Sequence, residues 1–93
     1  MSDKVNFVWV FHGAKGRFSG GVFSSLEKGE VWVKKHELTG VLTKYPLDEG
    51  AYDWAVQNDF FEIKREDQKE PLFIGNFTSA SQEHYHFEDG EKD

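Results

Sequence analysis

The first apolar run sets the pattern for the chain. Residues 5–11 read Val-Asn-Phe-Val-Trp-Val-Phe, with six of the seven apolar and each of those β-branched or aromatic, which predicts an extended strand. Alternate side chains of a strand point to opposite faces. Val5, Phe7, Trp9 and Phe11 then share one face, while Val8 and Val10 share the other with Asn6 and His12. Apolar residues at the centre of both faces suit an inner strand.

Between residues 12 and 21 the pattern changes, because Gly13, Gly16, Gly20 and Gly21 interrupt it. So many glycines predict a wide loop or a bulged hairpin rather than strand interior. Val22 and Phe23 return as a short strand. Ser24 is then the expected N-cap of a helix, with Glu27 at capping-box spacing. At 100° per residue Leu26, Gly29, Trp32, Val33 and His36 form one stripe, leaving Glu27, Glu30, Lys34 and Lys35 mostly outside it. A glycine inside that stripe costs up to about 1 kcal/mol against alanine, so a close approach to the sheet is expected there. Lys34, Lys35 and His36 fall in the last turn, where cations suit the helix dipole.

Residues 40–47 alternate again, with Val41, Thr43, Tyr45 and Leu47 on one face and Leu42 on the other, and Pro46 should end the ladder or place the strand at an edge. Asp48 is the expected N-cap of a second helix, with Leu47 and Tyr52 placed for a hydrophobic staple. Ala51, Tyr52, Ala55 and Val56 make its stripe, Trp54 stands at the stripe's edge, and Asn58 is a fitting terminator. Residues 60–63 predict a short strand, 64–71 a charged solvated loop, 72–77 a strand, 78–82 a small polar turn and 83–87 a last strand. Residues 88–93 predict an acidic, fraying tail. The order β-β-α-β-α-β-β predicts the α+β class: a mainly antiparallel sheet of four to five strands with two helices packed against it.

Composition narrows this. A chain of 93 residues with 38% apolar content predicts a single domain, 1–93, with an ordered core over about 5–87. Nine Phe, three Tyr and three Trp let a few positions fill its interior. The absence of cysteine excludes disulfides and thiolate metal sites. Met1-Ser2-Asp3-Lys4 lacks a signal-peptide layout, and no apolar run approaches the ~20 residues of a membrane span. A soluble, cytoplasmic protein is expected. A net charge of −6 argues against non-specific nucleic-acid binding and mildly favours a basic partner.

Four groups of residues could carry chemistry or binding. His84 and His86 share a strand face and could bind a first-row metal, with His12 as a third ligand if its strand is a neighbour, while Glu83 points the other way. The alternative is that Tyr85 and Phe87 face the core and the histidines face solvent. Lys15 and Arg17 in the glycine loop could frame an anion nest, although neither the phosphate-loop nor the dinucleotide pattern is present. Trp54 is a candidate interface aromatic. The polar stretch around Ser79, Ser81 and Gln82 would let a partner approach the backbone, flanked by His84 and His86. The serines sit in no nucleophile elbow and no carboxylate pair is marked out, so catalytic residues are not assigned.

Three segments together resemble a known group: Val8-Trp9-Val10-Phe11-His12-Gly13 with Gly20-Gly21-Val22-Phe23, the run from Gly40 through Tyr45-Pro46-Leu47-Asp48-Glu49 to Trp54-Ala55, and Phe77-Thr78-Ser79-Ala80-Ser81-Gln82-Glu83-His84-Tyr85-His86. The chain resembles, from about Phe7 to Gly90, a small family of uncharacterised bacterial single-domain proteins. That resemblance implies a bacterial, cytoplasmic origin and carries over no catalytic residues. More loosely, the chain is similar to small acidic domains, some of which serve as immunity or accessory partners.

Two functions are therefore open. The first is a non-enzymatic module, without cofactor or metal, that binds another protein, with Trp54, Ser79, Ser81, Gln82, His84, His86, Lys15 and Arg17 as its candidate surface. The second is a metal- or small-anion-binding domain built on His12, His84 and His86 or on the Lys15/Arg17 loop. Convergence of the three histidines would favour the second.

Overall fold

The computed structural model describes residues 6–93, so Val5 and the first four residues lie outside the described residues. The contacts divide the chain into two compact units, one running up to Leu47 and resuming at Gln82–Asp93, the other comprising Asp48–Ser81. The fold is α+β.

The first unit is a five-stranded antiparallel sheet with strands β1 (Phe7–Gly13), β2 (Ser19–Phe23), β3 (Gly40–Pro46), β4 (His84–Glu88) and β5 (Glu91–Lys92), in the order β2-β1-β3-β4-β5. The apolar strand β1 is an inner strand, as its two-faced pattern predicts, and Pro46 is the last residue of β3. Helix α1 (Leu26–Lys35) packs on one face, where Trp9, Phe11, Val33, Leu42 and Phe87 form the buried cluster. Gly29 of α1 sits over Leu42: a Cβ there would lie 3.0 Å from both Leu42 methyls. The helix backbone therefore comes down onto the central strand, the close approach expected for this glycine.

Three local readings need correction in this unit. Gly20 and Gly21 lie inside β2 rather than in a loop. At Gly21 the Phe23 ring occupies the space that a side chain would need, 2.9 Å from an added Cβ. The hairpin itself is bulged, between Phe11 and His12, one of the two forms expected. The N-cap of α1 is Ser25, not Ser24: Ser25 Oγ accepts from the Lys28 N–H at 3.3 Å, while Ser24 Oγ accepts from the Lys28 ammonium at 3.4 Å. Residues 88–93, expected to fray, instead close a hairpin: Asp89 and Gly90 take positive φ (50° and 86°), and β5 pairs with β4. That hairpin is tied down by Gly90 N–H to the Leu38 carbonyl (2.9 Å) and by the Lys92 ammonium to Glu30 (2.7 Å).

The second unit has no strand among its described residues. It holds α2 (Ala51–Gln57), a 3₁₀ turn (Glu66–Lys69) and α3 (Pro71–Gly75). Gly50, not Asp48, is the N-cap of α2; Asp48 has φ +64° in the preceding turn, and the expected staple moves out of register with it. Asn58 does close α2, but the left-handed residue is Asp59 (φ +62°). Residues 60–63 are irregular rather than extended. The expected strand at 72–77 is the helix α3, because Pro71 at its first position presets a helical φ. The charged stretch 64–71 is ordered by Gln68, whose buried Oε1 accepts from the N–H groups of Lys64 (2.7 Å) and Arg65 (3.0 Å). Tyr52 O–H donates to the Gln68 carbonyl at 2.8 Å. Above this bond Tyr52, Phe61, Phe73 and Phe77 form a closed ring cluster, every pair 5.0–6.3 Å apart between centroids. No helix among the described residues is long and apolar enough to cross a membrane.

Candidate binding surface

The three histidines occupy the sheet face opposite α1, since His12 pairs with Val41, which pairs with His86, and His84 pairs with Thr43. The His84 and His86 rings are 5.4 Å apart, on one face as expected. They do not converge with His12. A whole strand, β3, separates His12 from His86, which at the spacing of neighbouring strands is about 10 Å. Two of the rings are held by backbone instead: His12 Nε2 lies 2.7 Å from the Gly16 carbonyl and His84 Nδ1 2.7 Å from the Gln82 carbonyl. Each of these nitrogens carries the proton when its ring is neutral, because a carbonyl can only accept. Among the described residues no group of three His, Asp or Glu side chains could hold a metal. Glu83 points to the core side, accepting from Tyr85 O–H at 2.6 Å. That hydrogen bond, with help from burial, raises the tyrosine's pKa.

The glycine loop is closed on itself rather than open to an anion. Gly16 N–H donates to the Gly13 carbonyl (3.0 Å) and Ala14 N–H to the Thr39 carbonyl (3.1 Å). Lys15 and Arg17 are exposed, and the Arg17 guanidinium lies 6.0 Å from the Phe18 ring centroid. Val10, His12, Ser19, Thr43 and Tyr45 line a depression of about 360 Å³ on the open sheet face. It offers an imidazole and three hydroxyls but no carboxylate, so it can hydrogen-bond a ligand without a carboxylate to orient the imidazole as a base.

The remaining candidates divide differently from their sequence grouping. Gln82 is corrected outright: its side chain is 1% exposed and donates to the Lys44 carbonyl at 3.2 Å, so it is a structural tie and not partner surface. Ser81 is exposed, and its N–H donates to Ser79 Oγ at 3.1 Å, a local turn. Trp54 is half-buried with its ring 5.2 Å from that of Phe60.

What the sequence pattern missed lies beside Ser79. Phe60, Phe61, Phe73 and Phe77 line a groove of about 460 Å³ whose opposite wall is Asn76 and residues 78–80. Phe60 is 51% exposed, Ile74 38% and Leu72 79%, so large apolar side chains of the same unit remain in water. Phe61 is also a wall of a second depression, about 370 Å³, with Val56, Asp59, Glu62 and Ile63. The usable signal is the density of phenylalanine between residues 60 and 77.

No match to the chain was found among curated proteins or solved structures. A family model does match, over residues 8–93, and its description as a domain of unknown function agrees with the resemblance to an uncharacterised family. The chain belongs to that family, the domain of unknown function DUF7710.

Proposed function

We propose that the protein is a non-enzymatic accessory module, acting in the cytoplasm, that binds another protein through residues 48–81. The observation that carries this reading is the aromatic groove. Four phenylalanines line an open concavity together with Asn76 and the small residues 78–80, and the same unit leaves Phe60, Leu72 and Ile74 exposed in part. Exposed apolar patches of this kind mark interaction sites and ligand-binding grooves. An immunity-type role toward a basic partner fits the acidic balance.

Affinity capture from the native host tests this. Tagged wild-type protein should retain a stoichiometric protein partner, and Phe60→Ser with Ile74→Ser should lose it while a cooperative urea transition shows the variant still folded, at some cost in stability because both side chains are partly buried. A second bait, Ser81→Glu with His84→Ala, reports on the polar candidates. A partner lost only by the second bait moves the surface to the sheet face.

A further inference from the structure

We infer that the groove's partner is a cationic segment, in which an apolar anchor is flanked by Lys or Arg; this rests on the reading of residues 48–81 as the binding surface. Residues 48–81 carry eight carboxylates and three cations, so five of the chain's six net negative charges fall on 34 of its 93 residues. Solubility accounts for the size of the net charge but not for its confinement to one unit. The three cations are already engaged there: Arg65 with Asp67 (2.9 Å), Lys69 with Glu66 (3.3 Å) and Lys64 with Glu62 (4.0 Å). Asp48, Glu49, Asp53, Asp59 and Glu70 have no ion pair among the described residues.

The geometry joins this charge to the groove. Phe61 lines both concavities, the first with phenylalanines and small polar residues, the second with Asp59 and Glu62 beside Val56 and Ile63. A segment crossing Phe61 seats an apolar side chain in the first concavity and places its neighbour against the two carboxylates. Lys or Arg gains there; a neutral neighbour strips water from Asp59 without return, and an acidic one is repelled. The same sign of charge disfavours nucleic acid and anionic lipid on this surface.

The test uses the full chain and three short labelled peptides: an amphipathic Leu/Lys sequence, its Leu/Glu counterpart, and a Ser/Lys sequence of equal charge without anchors. The Leu/Lys peptide should bind at least about tenfold tighter than either control, and raising salt from about 50 to about 300 mM should weaken it. Asp59→Asn with Glu62→Gln should weaken it about 3- to 10-fold, the range for two exposed pairs. Glu27→Gln with Glu88→Gln removes the same charge from the sheet unit and should change affinity by less than about twofold. Equal weakening by the two double variants, equal affinity for Leu/Lys and either control, or no binding of Leu/Lys at about 1 mM overturns the inference. The host partner separates this failure from failure of the groove itself. If Phe60→Ser with Ile74→Ser releases that partner but Asp59→Asn with Glu62→Gln does not, the groove stands and the cationic anchor falls. Retention by both variants removes both.

Discussion

In the sheet unit five apolar side chains, Trp9, Phe11, Val33, Leu42 and Phe87, are buried as one cluster between α1 and the sheet. Residues 48–81 bury only Tyr52, Ala55 and Gln68, and three of the four rings in their aromatic cluster, Phe61, Phe73 and Phe77, stay partly in water. The first unit is fixed by strand registers that bring together distant parts of the chain; the second by ring contacts around one buried glutamine. Fewer buried apolar contacts mean a smaller free energy of local opening. The unit that opens more easily is the one offering the groove, and rigidity and accessibility are thus divided between two stretches of one short chain.

The comparison can be broken most directly at Leu42, which is fully buried beneath Gly29. Leu42→Ala should cost about 2–5 kcal/mol in urea unfolding. A loss below about 1 kcal/mol would show that the sheet's core can collapse around the gap and is not the tighter of the two. Gln68→Ala comes next, because it strands the Lys64 and Arg65 N–H groups at a cost of about 1–3 kcal/mol. Hydrogen exchange should then lose protection in α2 and α3 while β1 and β3 keep theirs. Uniform loss across both would mean one cooperative block and end the distinction.

A smaller effect sharpens the sheet side. Ser25→Ala should cost about 0.5–2 kcal/mol and Ser24→Ala less than about 0.5, read from paired thermal melts. Reversal of that order would return the cap to Ser24. The smallest effects are in pH. The Arg65 guanidinium, hydrogen-bonded to Asp67, holds that carboxyl below its usual value, so its contribution is present above the ordinary carboxylate range and lost as pH falls through the lowered value. Glu30, hydrogen-bonded to Lys92, holds the ammonium above its usual value, so that contribution is complete below the ordinary lysine range and lost as pH rises through the raised one. Acid therefore erodes the 48–81 unit and alkali the sheet unit, both weakly because the groups are exposed. NMR titration of Asp67 at or above the ordinary carboxylate value would remove the acid arm.

Legibility in the sequence followed the same division. Strand β1, helix α1 and the Gly29 approach were readable because period-2 and period-3.6 patterns report directly on burial. Residues 60–63 and 72–77 were misread as strands because aromatic runs fit a pleated face and a ring cluster alike. Pro71 was the overlooked correction, since it opens helices readily and sits poorly inside strands. Asp89-Gly90 is a strong hairpin signal that the surrounding acidic charge obscured. Ser25 against Ser24 is a shift of one residue, within the ordinary uncertainty of helix ends. The candidate surface was least legible. Gln82 looks like any polar turn residue until its partner, Lys44, 38 positions away, is known.

That glutamine has a consequence for how the chain can vary. Lys44 N–H donates to the Glu83 carbonyl (2.9 Å) and Gln82 returns a bond to the Lys44 carbonyl (3.2 Å), so the chain leaves β3 and re-enters at β4 through one stapled gate. Topologically β3 and β4 are a hairpin, and residues 48–81 are an excursion where a two-residue turn would suffice. Closure entropy grows only slowly with the length of a connection, so the hairpin depends little on how many residues the excursion holds. The gate thus separates the sequence into a part whose length is constrained by strand register and a part whose length is not.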